Sequence, residues 1–168
     1  MGLVILVAAL VIASLTDVAH RKIPNAITYP LAAFGLIFHL LSSGMAGVVF
    51  SLSGILVGGG LLLLLYLLGG MGAGDVKLMA AVGSILGPAD VFTASLYSAL
   101  VGGVYALAIV FRHGELRETV YWLAPALGGM MPARTAQAPE VAGRAGLPRL
   151  CYGLAISLGT VLAVLRPL

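Results

Sequence analysis

Long apolar stretches alternate with short polar or Gly/Pro-rich breaks along the whole chain. The stretches fall at 2–16, 26–43, 47–69, 76–87, 91–111 and 150–165, and they predict six helices. The breaks are Asp17–Asn25, Ser42–Gly44, Gly69–Asp75, Gly87–Asp90 and Arg112–Arg149. A helix that is apolar on all sides needs an apolar surrounding, in a protein core or a lipid bilayer. The pattern predicts an all-α polytopic membrane protein of about six transmembrane helices, built as a single membrane-embedded domain over 1–168.

Composition decides for the bilayer. Of the 168 residues, 61% are hydrophobic and 9% charged, with a mean hydropathy of +1.12. A soluble domain carries roughly a quarter charged residues, so there is too little polar surface here to cover a water-soluble particle. The single cysteine, Cys151, excludes an internal disulfide and a thiolate metal cluster, and reads as a small buried hydrophobe. A net charge of +3, scattered along the chain, excludes a nucleic-acid binder. Gly2 to Thr16 lacks a basic n-region and a small-residue cleavage site, so it is expected to be a retained span rather than a signal peptide. Leu6 stands where a myristoylation pattern needs Ser or Thr.

Charge sets the expected orientation. With six spans, the breaks after the first, third and fifth share one face. That face holds Arg21, Lys22, Lys77, Arg112, Arg117, Arg134, Arg144 and Arg149, eight of the nine basic residues. The positive-inside rule places it in the cytoplasm and both termini outside. Two spans are short: at 1.5 Å per residue, Gly2 to Asp17 covers about 22 Å and Asp75 to Gly87 about 18 Å, against a core of about 30 Å. Both aspartates are therefore expected a little below the cytoplasmic surface, at similar depth. In the long segment 112–149, Glu115 to Met131 mixes charges with Tyr121, Trp122 and Leu123 and is interrupted by Pro125 and Gly128-Gly129, which predicts an interfacial helix in a cytoplasmic loop.

Candidate chemistry concentrates in two segments, Asp17-Val-Ala-His-Arg-Lys-Ile-Pro-Asn25 and Gly70-Met-Gly-Ala-Gly-Asp-Val-Lys-Leu78. Each puts a carboxylate at the cytoplasmic end of an apolar helix, where an ionisable group is expensive and usually has a partner or a task. Two carboxylates held together cannot easily both ionise; one keeps a proton, which is the arrangement an aspartic protease uses. Gly72 and Gly74 can adopt positive φ at little cost, so the loop can fold tightly and deliver Asp75 against another helix. Taken singly, Asp75 reads equally well as a helix cap and Asp17 as a solvated charge beside Arg21 and Lys22. The pair at matched depth, with a glycine-rich turn before one member, favours chemistry.

The neighbouring residues have plainer readings. Pro24 holds Ile23 extended and Asn25 is expected to cap the second span. Lys77 reads as an interfacial snorkelling residue or as a charge that tunes Asp75. His20 is expected near the head groups, and His39, deep in span two, to bond a neighbouring helix. Gly54, Gly58, Gly83 and Gly87 have the spacing of close helix packing.

The segment from Asp17 through the basic pair to Ile23-Pro24-Asn25 resembles the first catalytic segment of type IV prepilin peptidases. Gly72-Ala-Gly-Asp75-Val-Lys77-Leu-Met-Ala-Ala-Val-Gly83 resembles their GxGD segment, and Tyr152-Gly153-Leu-Ala-Ile156 their last span. The resemblance implies a membrane aspartic endopeptidase of the bacterial inner membrane, with Asp17 and Asp75 catalytic and Gly72, Gly74, Lys77, Pro24 and Asn25 supporting. It would remove the short basic leader of prepilin-like proteins at the cytoplasmic face, with water as co-reactant and no metal or organic cofactor. The larger bifunctional members add a cytoplasmic segment with paired cysteines and methylate the new N-terminus. This chain looks like the compact, peptidase-only branch of Flp or Tad pilus systems, so methyl transfer is not expected. Many relatives place proline directly before the tyrosine, where this chain has Cys151. The rivals are a presenilin-like protease, which shares GxGD and cuts within a transmembrane helix, and a non-enzymatic assembly factor or transporter with the aspartates as ion ligands.

Overall fold

The computed structural model describes residues 2–20, 22–67, 71–113 and 152–165. They form four helices: α1 (Gly2–His20), α2 (Asn25–Leu67), α3 (Ala73–His113) and α4 (Tyr152–Leu165). The expected interfacial helix at Glu115 to Met131 lies outside the described residues. The chain divides into a larger unit, Met1–Gly102 with Cys151–Leu168, and a smaller one, Gly103–Leu150. Everything that follows concerns the larger.

α2 and α3 are each broken once, at a glycine. Gly44 has φ 60° and ψ −140°, and Gly87 has φ 80° and ψ 179°. Both are conformations that side-chain-bearing residues avoid. The chain reverses at each. The rings of His39 and Phe50 are 5.0 Å apart between centroids, whereas eleven residues of straight helix would separate them by about 16 Å. A Cβ on Gly58 would lie 2.6 Å from the Met79 carbonyl oxygen and 2.8 Å from a Val91 methyl, although those residues would stand about 18 Å apart along one helix. Pro88, which cannot donate a backbone hydrogen bond, fixes the second break. The sequence pattern reserved Gly87–Asp90 for that turn; the helix instead resumes directly after Gly87.

α1, α2 and α3 are long and apolar enough to cross a membrane, and α4 is a shorter apolar helix. α1 shows how the faces divide. Leu6, Leu10, Ala13 and Asp17, at helical spacing, form its buried stripe, while Val4, Val11 and Leu15 are exposed on the other side. Apolar residues on both faces are what a helix packed inward and bathed in lipid requires.

Small residues let the helices approach. A Cβ on Gly54 would collide with the Gly83 carbonyl, and one on Gly83 with the Gly54 carbonyl, so these backbones touch with no side chain between them. Polar ties join helices that are distant in sequence. Ser51 donates to the Ser84 carbonyl at 2.8 Å. Ser14 donates to Ser157 at 2.7 Å, and Ser157 lies 3.2 Å from the Leu10 carbonyl, joining α1 to α4.

Candidate active site

Four helix ends meet on one side of the larger unit: the last turn of α1 and the first turns of α2, α3 and α4. α1 runs one turn further than its apolar stretch, through Asp17 to His20. Asp17 is therefore part of the helix, on the same stripe as Leu10 and Ala13, rather than in the polar break that follows it. Asp75 stands in the first turn of α3 and heads the buried stripe Leu78, Met79, Val82. Both carboxyls are enclosed: Asp17 is 7% exposed and Asp75 9%. They are also close enough for the charge of one to act on the other.

Each carboxyl is held by a glycine amide. Gly153 N–H donates to Asp17 Oδ2 at 2.9 Å. Gly72 N–H donates to Asp75 Oδ2 at 3.1 Å, and Asp75 N–H donates back to the Gly72 carbonyl at 3.1 Å, closing the turn that opens α3. Backbone amides are short, stiff donors, so they fix where a carboxylate oxygen sits.

The GxGD glycines act differently from the sequence expectation. Among the described residues the positive-φ glycines are Gly44 and Gly87, and neither Gly72 nor Gly74 is one of them. Their contribution is space. A Cβ on Gly74 would come within 3.2 Å of the Ile23 Cβ, and one on Gly72 within 3.2 Å of Asp75 Oδ2. Gly74 thus lets the first turn of α3 rest on the segment that follows Asp17.

The two sequence segments are also joined directly. Lys77 Nζ donates to Asn25 Oδ1 at 3.1 Å and lies 5.4 Å from the centre of the Tyr29 ring. Ile27 N–H donates to the Pro24 carbonyl at 3.1 Å, which closes the turn into α2. Asn25 was expected to cap that helix; its side-chain oxygen is engaged instead by a lysine from the other segment. His20 is exposed. His39 sits at the opposite end of α2's first limb, 3.0 Å from the Ile85 carbonyl.

Sequence reasoning missed the start of α4 as part of this site. Tyr152 and Gly153 are consecutive in the chain and face different neighbours: Gly153 binds Asp17, and Tyr152 packs on Gly102 of α3. The signal was present, since Tyr-Gly opens the last apolar run, but nothing local says that a run 136 positions away supplies the donor. Among the described residues no three His, Cys, Asp or Glu side chains converge as a metal-ligand set.

A pair of buried carboxyls at one end of an apolar helical bundle defines a class of site, and comparison with known proteins defines its kin. Residues 4–107 match the model of the type IV leader peptidase family, and the chain belongs to that family. It is 30% identical over 127 residues to a prepilin leader peptidase/N-methyltransferase of Bacillus subtilis (strain 168), covering 74% of this chain and 50% of that protein. It is 33% identical over 135 residues to a prepilin leader peptidase/N-methyltransferase of Neisseria gonorrhoeae, covering 77% of this chain and 46% of that one. The chain spans about half the length of these curated relatives. No solved structure matches it.

Proposed function

We propose that this chain is an aspartic endopeptidase of the bacterial inner membrane that removes the short basic leader of prepilin-like proteins at the cytoplasmic face. The observation that carries the reading is the enclosed pair Asp17 and Asp75, each held by a glycine amide, with the charge of Asp17 acting on Asp75. The family supports the substrate class. The proposal concerns the first activity in the relatives' names, the peptidase.

In the proposed reaction one carboxyl is charged and the other protonated. The carboxylate takes a proton from water as the water oxygen attacks the scissile carbonyl carbon, and the carboxylic acid donates its proton to the carbonyl oxygen. The tetrahedral diol then collapses: the C–N bond breaks, the leaving nitrogen gains a proton, and the pair returns to its starting state. Held carboxyls serve this chemistry because little reorganisation is needed as charge develops.

The reversals at Gly44 and Gly87 divide the described helices into six limbs, and we propose that each is a membrane span. Lys22 and Lys77, beside the four converging helix ends, then mark the cytoplasmic side. A cysteine placed at exposed His20, in a Cys151→Ser background, tests this: a membrane-impermeant maleimide should label it in inverted vesicles and not in intact cells.

Mass spectrometry of products tests the reaction. Purified protein mixed with a prepilin in detergent should cut once, at the leader boundary. A cut inside an apolar helix would favour the presenilin-like reading, and no cut at all the assembly-factor or transporter reading.

A further inference from the structure

The first turn of α4 has no part in the reaction as written, yet its backbone touches one member of the carboxyl pair directly. Gly153 N–H lies 2.9 Å from Asp17 Oδ2. A Cβ added to Gly153 would come within 2.8 Å of that same oxygen and 3.2 Å of both Asp17 Cβ and Cγ. The carboxyl therefore rests on the bare face of a glycine, in the space where any other residue carries its side chain. Asp17 is enclosed, so it has little open volume into which to retreat.

The turn is itself anchored on both sides. Ser157, one turn along α4, accepts from Ser14 at 2.7 Å and reaches the Leu10 carbonyl at 3.2 Å, which clamps α4 to the helix that carries Asp17. Tyr152 packs on Gly102 of α3: a Cβ there would come within 2.7–2.9 Å of two carbons of the phenol ring and its hydroxyl oxygen. Residue 153 thus meets Asp17 from another helix, while residue 152 packs on the helix that carries Asp75.

We propose that Gly153 is a positioning residue: its amide, and the absence of a side chain on it, set where the Asp17 carboxyl stands relative to Asp75. The proposal rests on the peptidase reading for its kinetic consequence, though not for its spectroscopic one. Gly153→Ala keeps the N–H but fills the space under the carboxyl, so the carboxyl shifts by the order of an ångström. A misplacement of about 1 Å costs roughly 100-fold in rate.

The test uses the full-length protein in detergent and two readouts. The first is the infrared carboxyl band of Asp17, assigned by its loss in Asp17→Asn, which reports the carboxyl's surroundings whether or not any substrate is cut. The second is prepilin cleavage. Gly153→Ala should shift the Asp17 band, lower kcat roughly 100-fold with little change in KM, and alter the pH profile. Gly159→Ala is the comparator, because its Cβ would press on Ser98 rather than on a carboxyl; it should lower the melting temperature and leave the Asp17 band and the kcat of the folded fraction unchanged. Ser157→Ala, which only shortens a side chain, should move the Asp17 band in the same direction as Gly153→Ala and supplies the test should the latter not fold. An unshifted Asp17 band in the folded variants overturns the positioning role. The expected band shifts in the variants together with no cleavage by the wild type would instead overturn the peptidase reading.

Discussion

Lys77 Nζ donates to Asn25 Oδ1 at 3.1 Å, a bond across 52 positions of sequence that joins the two segments carrying the aspartates. Asn25 opens α2 just after the turn that follows Asp17, and Lys77 lies two residues beyond Asp75. The bond acts as a strut between them, steadied by the Tyr29 ring beneath the ammonium. Because Lys77 is half-buried, the strut is worth less than an enclosed ion pair.

If the strut positions Asp75, its two ends work as one unit. Lys77→Met and Asn25→Leu should each lower kcat/KM by about tenfold, roughly 1.4 kcal/mol. The double variant should cost little more than either alone. Asn25→Asp, which keeps an acceptor oxygen, should retain most activity. A double-mutant cycle on leader cleavage checks this, and additive losses would mean that the two residues act separately.

His39 repairs the break at Gly87. In an unbroken helix the Ile85 carbonyl would accept from residue 89, four positions on; the reversal removes that donor, and His39 Nε2 stands 3.0 Å away. A carbonyl can only accept, so Nε2 carries the proton. Phe38 and Phe50 flank the ring at 5.4 and 5.0 Å between centroids. His39→Leu should keep the packing but strand the carbonyl, lowering stability by about 1–3 kcal/mol. Thermal unfolding in detergent measures the loss, and His39→Gln should recover part of it. Cleavage at low temperature should be unaffected, since His39 lies far along α2 from the carboxyl pair.

The hairpin at Gly44 offers a clean backbone test. Nothing lies within 4 Å of where its Cβ would stand, and nothing within 4 Å of that of Gly60. Gly44 has a φ of 60°, however, and Gly60 is helical. Gly44→Ala should therefore destabilise by about 1–3 kcal/mol through backbone strain alone, while Gly60→Ala should be neutral or stabilise by roughly 0.5–1 kcal/mol. Unfolding curves for the two variants, compared directly, separate strain from packing. Equal effects would show that the turn at Gly44 does not need glycine.

Much of this was legible in the sequence because membrane helices announce themselves by composition. The six apolar stretches correspond to the limbs of α1 to α4, and the two aspartate segments stand out in the sequence as carboxylates at the ends of apolar runs. What escaped was tertiary. α1 continues through Asp17 to His20 because helix propagation costs little once the inner stripe is packed, so the polar residue does not end it. Gly72 and Gly74 were assigned a conformational role because glycine permits one; the structure uses their missing side chains instead. Gly153 and the Lys77–Asn25 bond depend on helices remote in sequence, and no local pattern predicts which backbone amide will face a carboxyl.

Cleavage of a full-length prepilin by wild type, Asp17→Asn and Asp75→Asn, each purified in detergent at matched folded concentration, tests the central claim most directly. Both substitutions keep the side-chain shape and the glycine amide contacts while removing the acid. The account predicts cut leader from the wild type and a loss on the order of 10⁴-fold or more for either variant, as expected when one member of a cooperating catalytic set is removed. Wild-type rates from either variant would contradict it.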